Sequence, residues 1–571
     1  MPHSGAFDWH FTLPLKGRKL SSSDFGWLAA GSKQFQTELG MDSSVALEQI
    51  ESLGALKMSP EDFRAAGHRL IDDIAEFLGS IPKRPVVPPV TPTSLRELLP
   101  PGGLPERGSP SGPLLGEAAR LLFENSLISA HPRFWGYINS SPAPIGALAD
   151  LLAAAVNPNV GGWILAPIAT EIERQTVRWI ADLVGYPSDC GGLLVSGGNM
   201  ANFVPFLVAR RAKADKANWP VGATGLSTGR PLRAYVSEET HTWIHKAADL
   251  FGLGTDSIRW IPVGKDLRMD MGALRREIER DQAAGDLPFL VVGQAGSVST
   301  GVVDPLREIA ALCREQGVWF HVDGAYGAVA AVLPKGTPHV EPEAMADLSA
   351  LGEADSVAVD PHKWLYAPLE AGCVLVRNRR LLCETFSHRP PYYHFDEAEG
   401  GEELVNYFEY GLQNSRGFRA LKVWLGLRQA GRSGYEDVVG QNIRVAQALY
   451  RAAAVHPELE AKTQALSITT FRFVPEDLKP ARESATVVEY LNKLNEELLN
   501  RIQRGGEAFL TNAVIRGQFV LRACVVNLNS TPADAEAVAG LVARLGCEVD
   551  RDLRPEDLSE TAGWSVQRGE Q

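Results

Sequence analysis

Three things are missing from this chain of 571 residues, and each removes a class of function. No apolar run is long enough to span a bilayer: the longest, Ile145 to Val156, is about a dozen residues, is broken by Asp150, and reads as a buried helix. No basic block exists, and the net charge is −13, so neither nucleic acid nor an anionic membrane is an expected partner. The six cysteines (Cys190, Cys313, Cys373, Cys383, Cys524 and Cys547) never form a CxxC pair, which fits a reducing compartment and gives no zinc signal. At the N-terminus, Lys16, Arg18 and Lys19 lead into Ser21 to Ser23 and Asp24 rather than an apolar stretch, so no signal peptide is expected and the location reads as cytoplasmic.

What is present is a composition of 45% hydrophobic and 22% charged residues, that of a globular protein of more than one domain. Residues 1–57 lack periodicity and read as an extension. Residues 58–142 read as an N-terminal helical, dimerising segment, 143–428 as a large domain, and 429–571 as a small α+β domain. Ser59 is placed to cap a helix, with Pro60 at its first position and Asp62 completing a capping box. Phe63, Leu70, Ile74 and Phe77 follow at helical spacing, a stripe that needs a surface to cover. From Pro82 to Pro113 the Pro- and Gly-rich sequence predicts an extended connector without packed elements.

The middle of the chain alternates short apolar runs with helical stretches. Candidate strands are Gly192 to Ser196, Ala234 to Ser237, Phe289 to Gly293, Val318 to Val322, Ser356 to Val359 and Cys373 to Arg377. Such alternation predicts an α/β fold with a mostly parallel sheet, and ligands then gather at the carboxyl ends of its strands. After about Gln429, a helix from Tyr435 to Val455, alternating strands at Ile468 to Phe473 and Gln518 to Asn527, and a closing helix from Ala533 to Leu545 predict the α+β domain.

Four motifs fall at strand ends. Lys363, in DPHKW (360–364), is a lysine at the end of a buried strand, which is either snorkelling beside Trp364 or used covalently as a Schiff-base former. Asp323, in HVDGAY (321–326), shares a strand face with His321; the pair reads as a carboxylate for a cationic ring nitrogen, as half of a metal site, or as a turn cap. SGGNMAN (196–202) places two glycines at a helix start, an anion cradle or a plain βα turn, and matches neither dinucleotide nor P-loop patterns. His241 follows a strand and is placed to stack on a flat ring or to serve structurally. Each motif alone is ambiguous. Together, a phosphate cradle, a stacking ring, an acid for a pyridinium nitrogen and a Schiff-base lysine are the parts that hold pyridoxal phosphate. No metal is expected.

These segments, with HPRFWGYINS (131–140), WILAPIATEIE (163–173), NSRGFRALKVW (414–424) and RGQFVLRACVVN (516–527), resemble the group II pyridoxal-phosphate-dependent decarboxylases, and most nearly the aromatic L-amino acid decarboxylases and their bacterial relatives. The resemblance runs from about Met58 to about Leu545. It implies an aspartate-aminotransferase-like (PLP fold type I) large domain with a seven-stranded sheet, and a homodimer with its active site at the subunit interface. It implies Lys363 as the Schiff-base lysine, Asp323 on the pyridine nitrogen, Ala325 and His241 on the two ring faces, and Gly198 and Asn199 on the phosphate with His362 beside them. Asn199 stands where relatives commonly have Ser, and Gln294 where they usually have Thr near the cofactor. Gly161 replaces a bulky residue, which predicts an enlarged or reshaped pocket walled by Trp135, Tyr137, Ser140 and Trp163. The stretch from Thr385 to Gln413, with Gly400-Gly401 as a hinge, reads as a lid whose tyrosine donates a proton: Tyr392 first, with Tyr393 and Tyr407 as alternatives.

The implied activity is decarboxylation of an L-amino acid, of aromatic type, to its amine and carbon dioxide. The competing readings are a decarboxylase of the glutamate, histidine or diaminobutyrate type, an aromatic acetaldehyde synthase, and a catalytically dead dimeric scaffold.

Overall fold

The computed structural model describes residues 56–388 and 404–559. It divides into two compact units: residues 56–75 with 100–120, and residues 76–99 with 121–559. In the smaller unit, Ser59 caps the helix Pro60–Ser80 as its sequence predicts. Its Oγ accepts from the Asp62 N–H at 3.0 Å and donates to the Asp62 carboxylate at 2.8 Å. No residue of this helix is fully buried, and at its C-terminal end Phe77 stacks on Phe123 with ring centres 4.4 Å apart.

The larger unit is built on a seven-stranded sheet: β1 (Gly191–Val195), β2 (Leu232–Ser237), β3 (Ile258–Ile261), β4 (Leu287–Gln294), β5 (Trp319–Asp323), β6 (Ser356–Val359) and β7 (Gly372–Val376). Their order across the sheet is β1-β7-β6-β5-β4-β2-β3, with β7 alone running against both of its neighbours. The strands of the sheet interior are buried on both faces, which is why they read as unbroken apolar runs. The seventh strand, β3, has no counterpart among the six predicted runs.

A second sheet, in the order β10-β11-β9-β8, is antiparallel: β8 (Leu459–Ala465), β9 (Ile468–Phe473), β10 (Thr511–Ile515) and β11 (Gln518–Cys524). The helices Ala485–Gly505 and Pro532–Leu553 pack on it around Phe471, Leu494, Leu498 and Val542. The long helix Ala420–Val455 joins the two sheets and breaks at Gly431, whose φ of 64° only glycine adopts without cost.

Two predictions fail here. The 82–113 stretch is not an empty connector. It holds the helix Pro92–Glu97, capped by Thr91, and Val86 is fully buried against Phe134 and Phe509 because its N–H donates to Gly506 O at 2.8 Å. The helix Pro144–Val156 forms where expected but is not buried: Leu148, Leu151, Leu152 and Val156 are each more than half exposed. It is fixed at its N-terminus instead. Ala143 N–H donates to Tyr366 O at 2.8 Å, and a Cβ on Gly146 would come within 2.2 Å of Pro368 Cδ.

Among the described residues no helix is long and apolar enough to cross a membrane.

Candidate active site

The carboxyl ends of β1, β2, β4, β5 and β6 converge on a cavity of about 360 Å³, lined by Gly198, Asn199, His241, Gln294, Asp323, Ala325, Asp360, His362 and Lys363 among others. All four sequence motifs therefore meet in one place.

Val195, the last residue of β1, passes into Ser196 and Gly197, and Gly197 takes φ 96°, turning the chain into the helix Gly198–Lys216. A Cβ on Gly198 would lie 2.6 Å from Asp360 Oδ2. The pinch leaves the helix's first N–H groups unpaired at the cavity, the arrangement that binds phosphate.

Lys363 Nζ lies 2.9 Å from Asp360 Oδ2. Asp360 is almost fully buried, and its Oδ1 has no hydrogen-bond partner among the described residues. His362 Nδ1 is 2.6 Å from Ala371 O, while Ser140 Oγ donates to the His362 carbonyl at 2.8 Å. The lysine turn is thus tied from both sides.

Asp323 is buried at the end of β5. Its Oδ1 accepts from the Ala325 N–H at 3.2 Å and its Oδ2 from Trp243 Nε1–H at 2.9 Å. Gln294, at the end of β4, donates through Nε2 to Thr240 Oγ1 at 3.2 Å, so its amide has a partner at this rim. The His241 pKa is lowered, first by desolvation; the Asp323 charge opposes the shift and the Lys363 charge adds to it. A neutral imidazole suits a residue meant to lie on a flat ring.

His321 does not ligate a metal. Its Nδ1 is 2.9 Å from Ser356 Oγ and its Nε2 is 2.7 Å from Asn202 Oδ1, and burial pushes its pKa down to about 4. Among the described residues no group of three or more His, Cys, Asp or Glu side chains is placed to hold a metal ion.

The predicted pocket walls divide. Tyr137 lines a second cavity, of about 600 Å³, which shares Ile138, His241, Val298 and Lys363 with the first. Trp135 does not reach either cavity: it is fully buried in the core of the second sheet, with Nε1 donating to Ser530 Oγ at 2.9 Å. Trp163 lines neither cavity and donates to Glu171 at 3.2 Å. Gly161 also lies outside both. A Cβ there would come within 2.2 Å of Asn414 O, so this glycine serves a close backbone approach.

Tyr392 and Tyr393 lie outside the described residues. Tyr407 is buried beneath the Arg416 guanidinium, 4.7 Å from its ring centre, and lines neither cavity. Arg416 is held by the buried Glu173 and by Val160 O, so Tyr407 belongs to a fixed cluster and not to a lid.

One residue absent from the sequence-based site is Arg522, in β11. It is buried on the second cavity, its Nη1 donates to Tyr137 O at 2.9 Å and Thr511 Oγ1 at 3.2 Å, and its Nε and Nη2 have no partner among the described residues. Its place in an alternating strand was the available signal; the facing cavity was not.

Residues 92–472 match the model of the pyridoxal-dependent decarboxylase conserved domain. The chain belongs to the pyridoxal-dependent decarboxylase family. An aromatic-L-amino-acid decarboxylase of Bacillus atrophaeus is 32% identical over 497 residues, covering 86% of this chain and 97% of that protein. A phenylacetaldehyde synthase of a Rosa hybrid cultivar is 28% identical over 488 residues, covering 84% and 93%. A crystal structure of Oryza sativa TDC with PLP and tryptamine superposes with a TM-score of 0.78 at 25% identity, covering 86% of this chain and 99% of that one. This decarboxylase-family chain is thus a PLP-dependent carboxy-lyase of fold type I, and its cofactor is pyridoxal phosphate. The glycine turn at Gly197-Gly198, the buried Asp323 carboxylate and the Lys363 amine on one cavity fit that group.

Proposed function

We propose that this chain decarboxylates an aromatic L-amino acid to its amine and carbon dioxide, as a homodimer. The observation that carries the reading is the convergence of Lys363, Asp323 and the Gly197-Gly198 turn on one cavity. Similarity to an aromatic decarboxylase over almost that protein's whole length supports the substrate class.

Bound pyridoxal phosphate supplies an electron sink for the bond broken at the substrate's α-carbon. The chain's residues do the rest. Lys363 would hold the cofactor through its Nζ, with Asp360 Oδ2, 2.9 Å away, as the counter-ion of the free ammonium. Asp323 would pair with the ring nitrogen, and a charge pair in so poorly solvated a place would strengthen the sink by several kcal/mol, about what one preorganised donor contributes elsewhere. His241 and Ala325 would flank the ring, and the Gly198 and Asn199 N–H groups would take the phosphate, with His362 and Gln294 on the same cavity. Tyr392 gives the proton that completes the amine. The exposed leucines of the helix Pro144–Val156 supply an apolar face for the partner subunit.

Arg522 favours a second reading. A buried guanidinium with two unpaired nitrogens next to Lys363 would be satisfied by a substrate carboxylate, which suits an acidic amino acid.

A panel of aromatic, acidic and basic amino acids, assayed for carbon dioxide with product identification, tests both. Amine and carbon dioxide from aromatic substrates support the first reading. Turnover confined to acidic ones supports the second, and aldehyde with ammonia and peroxide would replace both with an aldehyde synthase.

A further inference from the structure

Asp323 does not stand alone. Trp243 opens the helix Trp243–Leu250, just past the end of β2, and its side chain is completely buried. Its Nε1–H reaches across to Asp323 Oδ2 at 2.9 Å, while the Ala325 N–H takes Oδ1 at 3.2 Å. An indole N–H is a donor only, so the oxygen it meets is an acceptor. One donor on each oxygen fixes both the plane and the rotation of the carboxylate.

The indole itself cannot turn away. Phe206 packs edge-on against it with ring centres 6.4 Å apart, and His321 does so at 6.0 Å. His321 is held between Ser356 and Asn202, and Asn202 Nδ2 donates to Gly198 O at 2.9 Å. An unbroken set of contacts thus runs from the phosphate turn through a neutral imidazole and an indole to the acid.

We propose that Trp243 is a positioning residue for the reaction: its N–H holds Oδ2 of Asp323 as an acceptor, so that the carboxylate presents a free lone pair to the cofactor's ring nitrogen and the proton of that pair stays on the ring. The proposal rests on the reading that Asp323 faces that nitrogen.

The test uses holoenzyme loaded with cofactor isotope-labelled at its ring nitrogen, read by nitrogen NMR at one fixed pH. Trp243→Phe keeps an aromatic ring and removes the N–H. Its nitrogen signal is expected to move from the protonated toward the unprotonated position. The cofactor dissociation constant is expected to rise about tenfold, with kcat falling by a similar factor and KM within about twofold. A loss of packing alone would not move the nitrogen signal. If Trp243→Phe does not fold, a benzothienylalanine at position 243 gives the same readout, since it keeps the shape and replaces only the N–H by sulfur.

An unchanged nitrogen signal in these variants overturns the proposal. Asp323→Asn separates the two layers. If it also leaves the signal unmoved, the pairing of Asp323 with the ring nitrogen fails first. If it moves the signal and the indole variants do not, Trp243 alone is without the assigned role.

Discussion

Lys363 Nζ and Asp360 Oδ2 form an ion pair of 2.9 Å across three residues, within the turn that leaves β6. The carboxylate is buried and the lysine partly exposed, so the acid is the fixed member and the amine the movable one. The proposed role of Lys363, alternating between a cofactor and a counter-ion, would need that asymmetry.

Lys363→Ala should abolish turnover by about a thousandfold or more, and borohydride treatment of the holoenzyme should no longer label the peptide that contains position 363. Asp360→Asn should keep the label and lower kcat by about tenfold, because a neutral amide holds the amine less firmly. Undiminished borohydride labelling of the Lys363→Ala variant at another lysine would remove Lys363 from its assigned role.

His321 carries a pH signature in stability. Its pKa is lowered to about 4 by burial, whereas the unfolded residue titrates near 6.5. Between these values the unfolded chain binds a proton that the folded chain refuses, so stability rises with pH there. The contribution is fully present above pH 6.5 and is lost as pH falls toward 4, by about 3 kcal/mol in all. Denaturant titrations of cofactor-free protein from pH 7 to 4 should show this loss, and His321→Gln should flatten the slope. Equal slopes in the two proteins would place the acid sensitivity elsewhere.

Gly161→Ala tests the reading of that glycine as a close backbone approach. The new methyl would meet Asn414 O at 2.2 Å, so the variant should lose about 1–3 kcal/mol of stability. Its preference among amino acid substrates should stay as it was. A stable variant with altered preference would return Gly161 to the substrate pocket.

Arg522→Gln separates the two substrate readings. If the substrate is aromatic, the variant loses the bonds to Tyr137 O and Thr511, and kcat/KM falls by less than about tenfold. If it is acidic, the KM for the dicarboxylic substrate rises by about a hundredfold, the scale of an unpaired buried charge. Steady-state kinetics on both substrate classes reads the difference directly.

The chemistry-bearing turns were legible in the sequence because each follows a strand buried on both faces, and such strands announce themselves as apolar runs. Ser356–Val359 falls where expected for that reason, Ile468–Phe473 by its alternation and the Ser59 cap by its capping-box pattern. Two edge strands were not legible, although the edge strand β1, buried throughout, was: in β3 only Ile258 and Ile261 are fully buried, and β8 buries only Leu459 fully, so neither carries a continuous pattern. Trp135 shows the limit for the site. It lies in a segment characteristic of the family, but a sequence does not say which way an indole faces, and this one is spent on the core. Arg522 shows the converse: alternation in β11 puts it on one face, and only the folded chain reveals that the face borders Lys363. Trp243 lies 80 residues from Asp323, and no local pattern links them.

The helix Pro144–Val156 touches the lysine loop at Gly146 with no clearance for even a methyl group, while its leucines stand open on another side. One helix thus carries both the open leucines and the close approach to Pro368, five positions past Lys363. If a partner subunit covers those leucines and Lys363 holds the vitamin, both draw on one shared element and the two equilibria are reciprocal: dilution that uncovers the helix should loosen the vitamin, and stripping the vitamin should loosen the cover.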